Sequence, residues 1–251
     1  MGTWISHLRI AENLFPYFPG LDEVTFTFGN LSPDSGIPNQ DWTAFEPPKE
    51  VTHFLHTGQE EDEIHDLVYY RNYLADVNPD EDKKLYSFRL GYFFHLICDI
   101  LWAKRIYAAT KSQFKPLFEK DENEAVSLIK GDWYGLDQLY VRAHPEHIFW
   151  RVIMEHPFPS SYLPFVQEQA LHQQYGSIRK FYSEQDEPWF LSLPYQYLNE
   201  ETMSRLVDDS IYAVLIVQKK LQELKDLDGL NSSVSLLPEY LMEPYPAPLG
   251  N

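Results

Sequence analysis

The fold of this chain is decided by the segment Gly91-Tyr92-Phe93-Phe94-His95-Leu96-Ile97-Cys98-Asp99-Ile100-Leu101-Trp102. It lies in a proline-free stretch whose apolar residues recur at steps of three and four, which predicts a buried central helix over about residues 82–110. His95 and Asp99 lie one turn apart on its apolar face. A buried carboxylate needs a cation or a shifted pKa, and an imidazole with a carboxylate at this spacing can bind a metal ion. Such a pair alone is more often a structural contact, so the prediction depends on other ligands.

Length and composition bound the organisation of the chain. The chain has 251 residues, of which 44% are hydrophobic and 16% aromatic, so it can bury a full core. Because no Ser/Gly linker or charge-block boundary divides it, we expect one domain over residues 1–228 and an extended tail over residues 229–251. The net charge of -18 repels phosphate backbones and anionic lipid headgroups, which argues against nucleic acid as a partner.

The rest of the chain predicts an all-α, multi-helix protein. Helical patterns occur near residues 3–14, 60–75, 123–143, 144–155, 163–182 and 200–227, and no alternating strand pattern appears. The acidic run Glu60-Glu61-Asp62-Glu63 is expected to begin the second helix, and Lys130-Gly131-Asp132 and Gly176 to interrupt later ones. From Phe15 to about Lys49 the Pro- and Gly-rich sequence predicts a long, packed loop.

Sequence features also bear on location. Cys98 is the only cysteine, which excludes an internal disulfide. The first residues lack a basic segment followed by an apolar run, so we expect no signal peptide and a cytoplasmic protein. Charged residues such as Arg89 and Asp99 interrupt the central segment, so we expect no transmembrane segment.

Three further segments carry ligand-type side chains: His7 in the first helix, Asp34 in the long loop and His53 ahead of the second helix. Each also has an ordinary structural interpretation. His7 fits a half-buried, hydrogen-bonded histidine, Asp34 a turn residue after Pro33, and His53 a polar residue at a helix start.

Taken together, four separated motifs form a recognisable pattern. They are Thr3-Trp4-Ile5-Ser6-His7, Gly29-Asn30-Leu31-Ser32-Pro33-Asp34, Thr52-His53-Phe54 and Gly91-Tyr92-Phe93-Phe94-His95-Leu96-Ile97-Cys98-Asp99-Ile100. In order and content, this set resembles the zinc-dependent phospholipase C family over about the first 105 residues.

The resemblance implies a fold, a cofactor and an activity. The family has an all-α fold, of a type shared with related nucleases, with a zinc cluster at the bottom of a cleft, and its members hydrolyse phosphate esters such as phospholipids. By the resemblance, Asp34, His53, His95 and Asp99 hold one zinc ion, and Asp99 bridges to a second that His7 contacts. Two imidazoles and two carboxylates suit zinc, which activates water. Asp34 is then also the candidate catalytic acceptor of the water's proton.

This sequence departs from the secreted members of that family in three respects. They use a processed N-terminal tryptophan as a zinc ligand, whereas Trp4 here is internal, and Lys104-Arg105 stand where they carry a further histidine. Their later His-x-x-x-Glu/Asp motif is also not found. We therefore expect one zinc ion, or at most two, in an intracellular, divergent member. The expected substrate is a small-molecule or a lipid phosphate ester.

Two other functions compete with this one. His65-Asp66, with His53 and Asp99, suggests an HD-type metal-dependent phosphohydrolase. A non-catalytic, metal-stabilised or metal-free binding protein on the same scaffold also fits the incomplete ligand set and the acidic surface. Asp137 is a candidate extra ligand or hydrogen-bond acceptor for a ligating histidine, or else part of an ordinary helix cap. Further candidate site residues are His56, His65 and Arg105.

Overall fold

A computed structural model describes residues 2–39, 44–57, 63–184, 188–224 and 226–246, and it confirms the all-α class. The α-helices are α1 Trp4–Leu14, α2 Glu23–Leu31, α3 Lys49–Thr52, α4 Asp66–Tyr69, α5 Lys83–Leu101, α6 Ala108–Gln113, α7 Lys115–Lys120, α8 Glu122–Ala143, α9 Glu168–Ser183 and α10 Glu200–Glu223. Two short antiparallel pairs accompany them, β1 Ile37–Pro38 with β2 Phe45–Glu46, and β3 Leu55–His56 with β4 Glu63–Ile64. Wider turns at Tyr70–Leu74, Trp102–Tyr107 and Phe149–Met154 are π-helical.

Helix α5 is the predicted central helix. It begins where the Asp82 carboxylate accepts a hydrogen bond from the Leu85 N–H, which satisfies one of the free amides of the first turn. From Ser87 to Leu101 nearly every side chain is buried, and the helix continues through the π-helical turns into α6. A helix buried all round places His95 and Asp99 in the interior, as the sequence predicted.

Helix α2 packs most closely against α5, and it corrects the prediction of a loop from Phe15 to Lys49. Prolines and glycines hide its helical period, but Asp22 caps its first turn. At Gly29 and Gly91 the two helices meet closely: a Cβ on Gly29 would lie 2.1 Å from the Phe88 carbonyl oxygen. Glycine at both positions allows this crossing. Asp34 follows in a 3₁₀ turn, Ser32–Asp34.

Other predicted boundaries also need correction. Glu63 and Ile64 form strand β4, so the helix expected from the acidic run begins later, at Asp66; residues 60–62 of that run lie outside the described residues. Helix α8 runs without interruption through Lys130-Gly131-Asp132, and α9 through Gly176. The expected helix near residues 144–155 is the π-helical segment Phe149–Met154.

The C-terminal segment packs against the helices as far as Tyr245. Asp66 accepts a hydrogen bond from the Ser233 N–H at 2.8 Å, and the Tyr245 hydroxyl donates to Asp209 at 2.6 Å. Leu241 and Tyr245 join the hydrophobic core. Within the described ranges, no helix is both long enough and apolar enough to cross a bilayer.

Candidate metal centre

His95 and Asp99 form the centre of the site, and both are 0% exposed. His95 Nε2 lies 3.3 Å from Asp99 Oδ2. On the other side of the ring, Nδ1 donates to the carbonyl oxygen of Asn30 at 2.7 Å. Because that carbonyl can only accept, the tautomer is fixed and Nε2 is directed at the cluster, which is how ligating histidines are usually oriented.

Helix α1 brings His7 to the same place. Its ring stacks on that of His95, with centroids 3.8 Å apart, and its Nε2 lies 3.3 Å from Asp99 Oδ1. The start of α1 is held by the buried Asp137, which accepts hydrogen bonds from the Thr3 hydroxyl at 2.7 Å and from the Tyr182 hydroxyl at 2.5 Å. Asp137 therefore holds the N-terminus of α1 in place.

Asp34 and His53 approach from the two segments that follow α2 and α3. His53 Nε2 lies 3.4 Å from both Asp34 Oδ1 and Asp99 Oδ2. Two contacts hold this histidine: Thr52 Oγ1 lies 2.9 Å from His53 Nδ1, and the Tyr92 hydroxyl of α5 donates to the Thr52 carbonyl. The structure thus brings together all five residues that the sequence nominated as metal ligands: His7, Asp34, His53, His95 and Asp99.

The donor atoms of this cluster lack ordinary partners among the described residues. Nε2 of His7, His53 and His95 and Oδ2 of Asp99 are buried and make no hydrogen bond there. Buried polar atoms nearly always have a partner, so four such atoms converging on one place need an explanation. Where these nitrogens carry no proton, their lone pairs and those of the carboxylates face one another and repel unless a cation lies between them.

The spacing of the cluster suits a metal ion. Four ligands at tetrahedral positions about 2.0–2.1 Å from zinc lie about 3.3–3.4 Å from one another. The four nitrogen-to-oxygen contacts within 4.0 Å in the cluster measure 3.3, 3.4, 3.4 and 3.3 Å. Two overlapping groups, His7 with His95 and Asp99, and Asp34 with His53 and His95, could each hold an ion.

The pKa values follow from burial and from the opposed charges. Burial lowers the pKa of His7 to about 4 and also lowers that of His53. Burial opposes ionisation of Asp34, yet its contact with His53 and the charges of His95 and His53 together outweigh this and lower the pKa to about 2. For His95 burial is outweighed by Asp99 and Asp34, and the pKa is raised. His7, His53 and Asp34 are therefore in the form that binds metal, whereas metal competes with a proton at His95.

A cavity of about 490 Å³ opens beside the cluster, and Asp34 and His53 are among its lining residues. That volume is within the range of about 300–1,000 Å³ typical of small-molecule sites. Asp34 is the only acidic side chain among the described residues that line it. Its apolar and aromatic lining includes Trp4, Ile37, Phe45, Trp133 and Tyr134.

Comparisons with known proteins add no relative. No protein-family model, curated protein or solved structure matches this chain. The resemblance to zinc-dependent phospholipase C is therefore carried by the motif residues alone.

The remaining sequence candidates lie elsewhere. His65 Nε2 is 3.5 Å from Glu63, and the Asp66 carboxylate binds the C-terminal segment, so the structure does not join the His65-Asp66 pair to the cluster. His56 stacks on His65, and Arg105 pairs with Asp209 at 3.2 Å. Sequence reasoning missed Lys49 and Lys130, which line the cavity. The available signal was spacing, since Lys49 precedes His53 by one helical turn.

Proposed function

We propose that this chain is a zinc-dependent hydrolase of phosphate esters. The observation that carries the proposal is the convergence of three imidazole nitrogens and two carboxylates, with buried and unpartnered donor atoms, beside a cavity of ligand size. Imidazole and carboxylate are ligands that zinc accepts, and one to two ions fit the two overlapping groups. The motif resemblance to zinc-dependent phospholipase C supports the same conclusion independently.

The two carboxylate oxygens of Asp99 face different groups of candidate ligands. Oδ2 faces His53 and His95, and with Asp34 these residues would hold one ion. Oδ1 faces His7 and would contribute to a second. Oδ1 also accepts a hydrogen bond from the Gly2 N–H at 2.6 Å, which fixes the orientation of the carboxylate between the two groups.

A zinc ion held by these residues would supply Lewis acidity towards a phosphoryl oxygen and would lower the pKa of an attacking water. Asp34 is placed to take up the proton of that water, because it is an ionised carboxylate at the edge of the cavity. His95, held by the Asn30 carbonyl, keeps its position while charge develops. The aromatic lining surrounds the organic part of a small ester and excludes water from it.

The test measures metal per chain and phosphate release in three proteins. These are the native chain, His95→Gln and the control His156→Gln, whose side chain is exposed and outside the cluster. We expect about one to two zinc ions per chain and turnover in the native protein and the control, with both lost in His95→Gln.

Two outcomes would overturn the proposal. A native chain that binds no metal after reconstitution would leave His95 and Asp99 as a structural pair. A metal-loaded chain that is inactive against phosphomonoesters and diesters would instead favour the binding-protein function.

A further inference from the structure

The cavity beside the metal centre carries an unusual charge for this chain. The chain has 38 acidic and 20 basic residues, yet two lysines, Lys49 and Lys130, and a single acid, Asp34, are among the described lining residues. Asp34 belongs to the ligand set, so its charge is taken up at the cluster. The remaining ionic character of the cavity is then positive.

The two lysines belong to separate helices, and both line the same cavity. Lys49 is the first residue of α3, one turn before His53, and its Nζ lies 5.5 Å from the centroid of the Phe45 ring. Lys130 lies on the face of α8 that also presents Val126, Trp133 and Tyr134 to the cavity, at helical steps of four, three and four. The two lysines are far apart in the sequence, and the packing of α3 and α8 brings both to the wall of the cavity.

Neither lysine is neutralised within the part of the chain that the structure describes. The ion pairs of other lysines, such as Lys111 with Glu122 and Lys115 with Glu119, lie outside this cavity, and none involves Lys49 or Lys130. Burial lowers the pKa of Lys130, the charge of Lys49 lowers it further and that of Asp34 opposes them. The charges of the two lysines and of the candidate ligand Asp34 are therefore close enough to act on one another.

Helix α9 completes the polar side of the cavity. Gln173, Gln174 and Ser177 line it from one face, at steps of one and three along the helix. The side-chain amide N–H groups of the two glutamines can donate hydrogen bonds to phosphate oxygens, whereas the Ser177 hydroxyl donates to the Gln173 carbonyl at 2.9 Å. A phosphate dianion would therefore meet two lysine ammonium groups and several neutral hydrogen-bond donors. The organic group that carries the phosphate would contact the aromatic side chains of the cavity.

We propose that the site selects a phosphomonoester of an apolar or aromatic alcohol, whose phosphate is a dianion, with Lys49 and Lys130 as the specificity-determining residues. This inference rests on the proposed hydrolase function. A diester carries one negative charge fewer and gains less from the two lysines. A substrate with a cationic headgroup would be repelled by them.

The experiment compares two chromogenic esters with one leaving group. 4-Nitrophenyl phosphate is a dianion, and methyl 4-nitrophenyl phosphate is a monoanion. Zinc-loaded native protein is compared with Lys49→Gln/Lys130→Gln and with Lys180→Gln, an exposed lysine on α9 that does not line the cavity. We expect the double variant to lose about tenfold in kcat/KM for the monoester and about threefold or less for the diester, with zinc content unchanged.

Equal losses for both esters, or none, would overturn the inference while leaving the hydrolase intact. Should neither ester be hydrolysed, the hydrolase function fails and binding decides the inference. Phenylphosphonate, a dianion, and its monomethyl ester are then titrated calorimetrically into the same three proteins. A preference for the dianion that disappears in the double variant but not in Lys180→Gln supports the lysine pair, and an absent or unchanged preference refutes it.

Discussion

The carbonyl oxygen of Asn30 accepts a hydrogen bond from Nδ1 of His95 at 2.7 Å, so the backbone of α2 sets the tautomer of a candidate metal ligand on α5. The amide of the Asn30 side chain in turn donates to the Gly91 carbonyl at 3.2 Å. These contacts require α2 to lie very close to α5. The position of His95 Nε2 therefore depends on the two glycines at the crossing.

The first prediction concerns Gly91→Ala. A Cβ at this position would lie 2.2 Å from the Phe26 carbonyl oxygen, so the helices must move apart. We expect the free energy of unfolding to fall by about 1–3 kcal/mol and zinc affinity to weaken, because His95 loses its fixed orientation. Chemical denaturation and zinc titration measure the two effects.

Gly176→Ala is the matched control for that variant. This glycine lies inside α9, and a Cβ there would have no side chain or neighbouring element of the described residues within 4 Å, so alanine fits. We expect it to raise the free energy of unfolding by up to about 1 kcal/mol. A Gly91→Ala protein as stable as Gly176→Ala would contradict the close crossing.

The second prediction separates two buried aspartates. Asp99→Asn removes the carboxylate that faces three histidines, and we expect zinc content to fall to the background level. Asp66→Asn changes a carboxylate that is equally buried but binds the Ser233 N–H, and it should keep its zinc. Metal analysis after identical purification measures the difference. Equal zinc in both variants would rule out Asp99 as a ligand.

The sequence predicted those parts of the fold that have a clear period. α1, α8 and α10 lie close to their predicted bounds, and the predicted central helix is α5 with its continuation into α6, because their apolar residues follow the helical repeat. α2 was missed because Gly29 and Asn30 are poor helix formers, and its stability comes from packing on α5. Helix propensity depends on the local sequence, so it gives no information about a tertiary contact of that kind.

The candidate ligands could be nominated from motifs, but their supporting contacts could not. Nothing in the sequence indicates that the Asn30 carbonyl would meet His95, or that Asp137 would hold Thr3 and Tyr182. Lys130 lay in a stretch expected to interrupt a helix. Its role depends on which face of α8 meets the cavity, and only the packed structure determines that face.

The third prediction is that zinc affinity decreases as the pH falls. The carboxylates of Asp99 and Asp34 raise the pKa of His95 above 6.5, so metal must displace a proton from this ring. We expect the apparent affinity to fall by about tenfold per pH unit below that pKa, and binding to release a proton. Titrations in buffers of different ionisation enthalpy measure the released proton. An affinity that is constant down to about pH 6 would contradict a protonated His95.

The last prediction uses Asp137, whose pKa burial raises from 3.8 to about 7. Because the folded state holds this proton more tightly than the unfolded state, the contribution of Asp137 to stability is full at low pH. It is lost as the pH rises from about 4 to about 7. Asp137→Asn cannot ionise, so relative to it the native chain should lose stability across that window in urea unfolding. The native chain should also lose stability relative to Asp66→Asn as the pH rises. Because burial raises the pKa of the Asp66 carboxyl only to about 6, that loss should end about one pH unit lower. Parallel profiles for the native chain and Asp137→Asn would show that folding leaves the pKa of Asp137 unshifted.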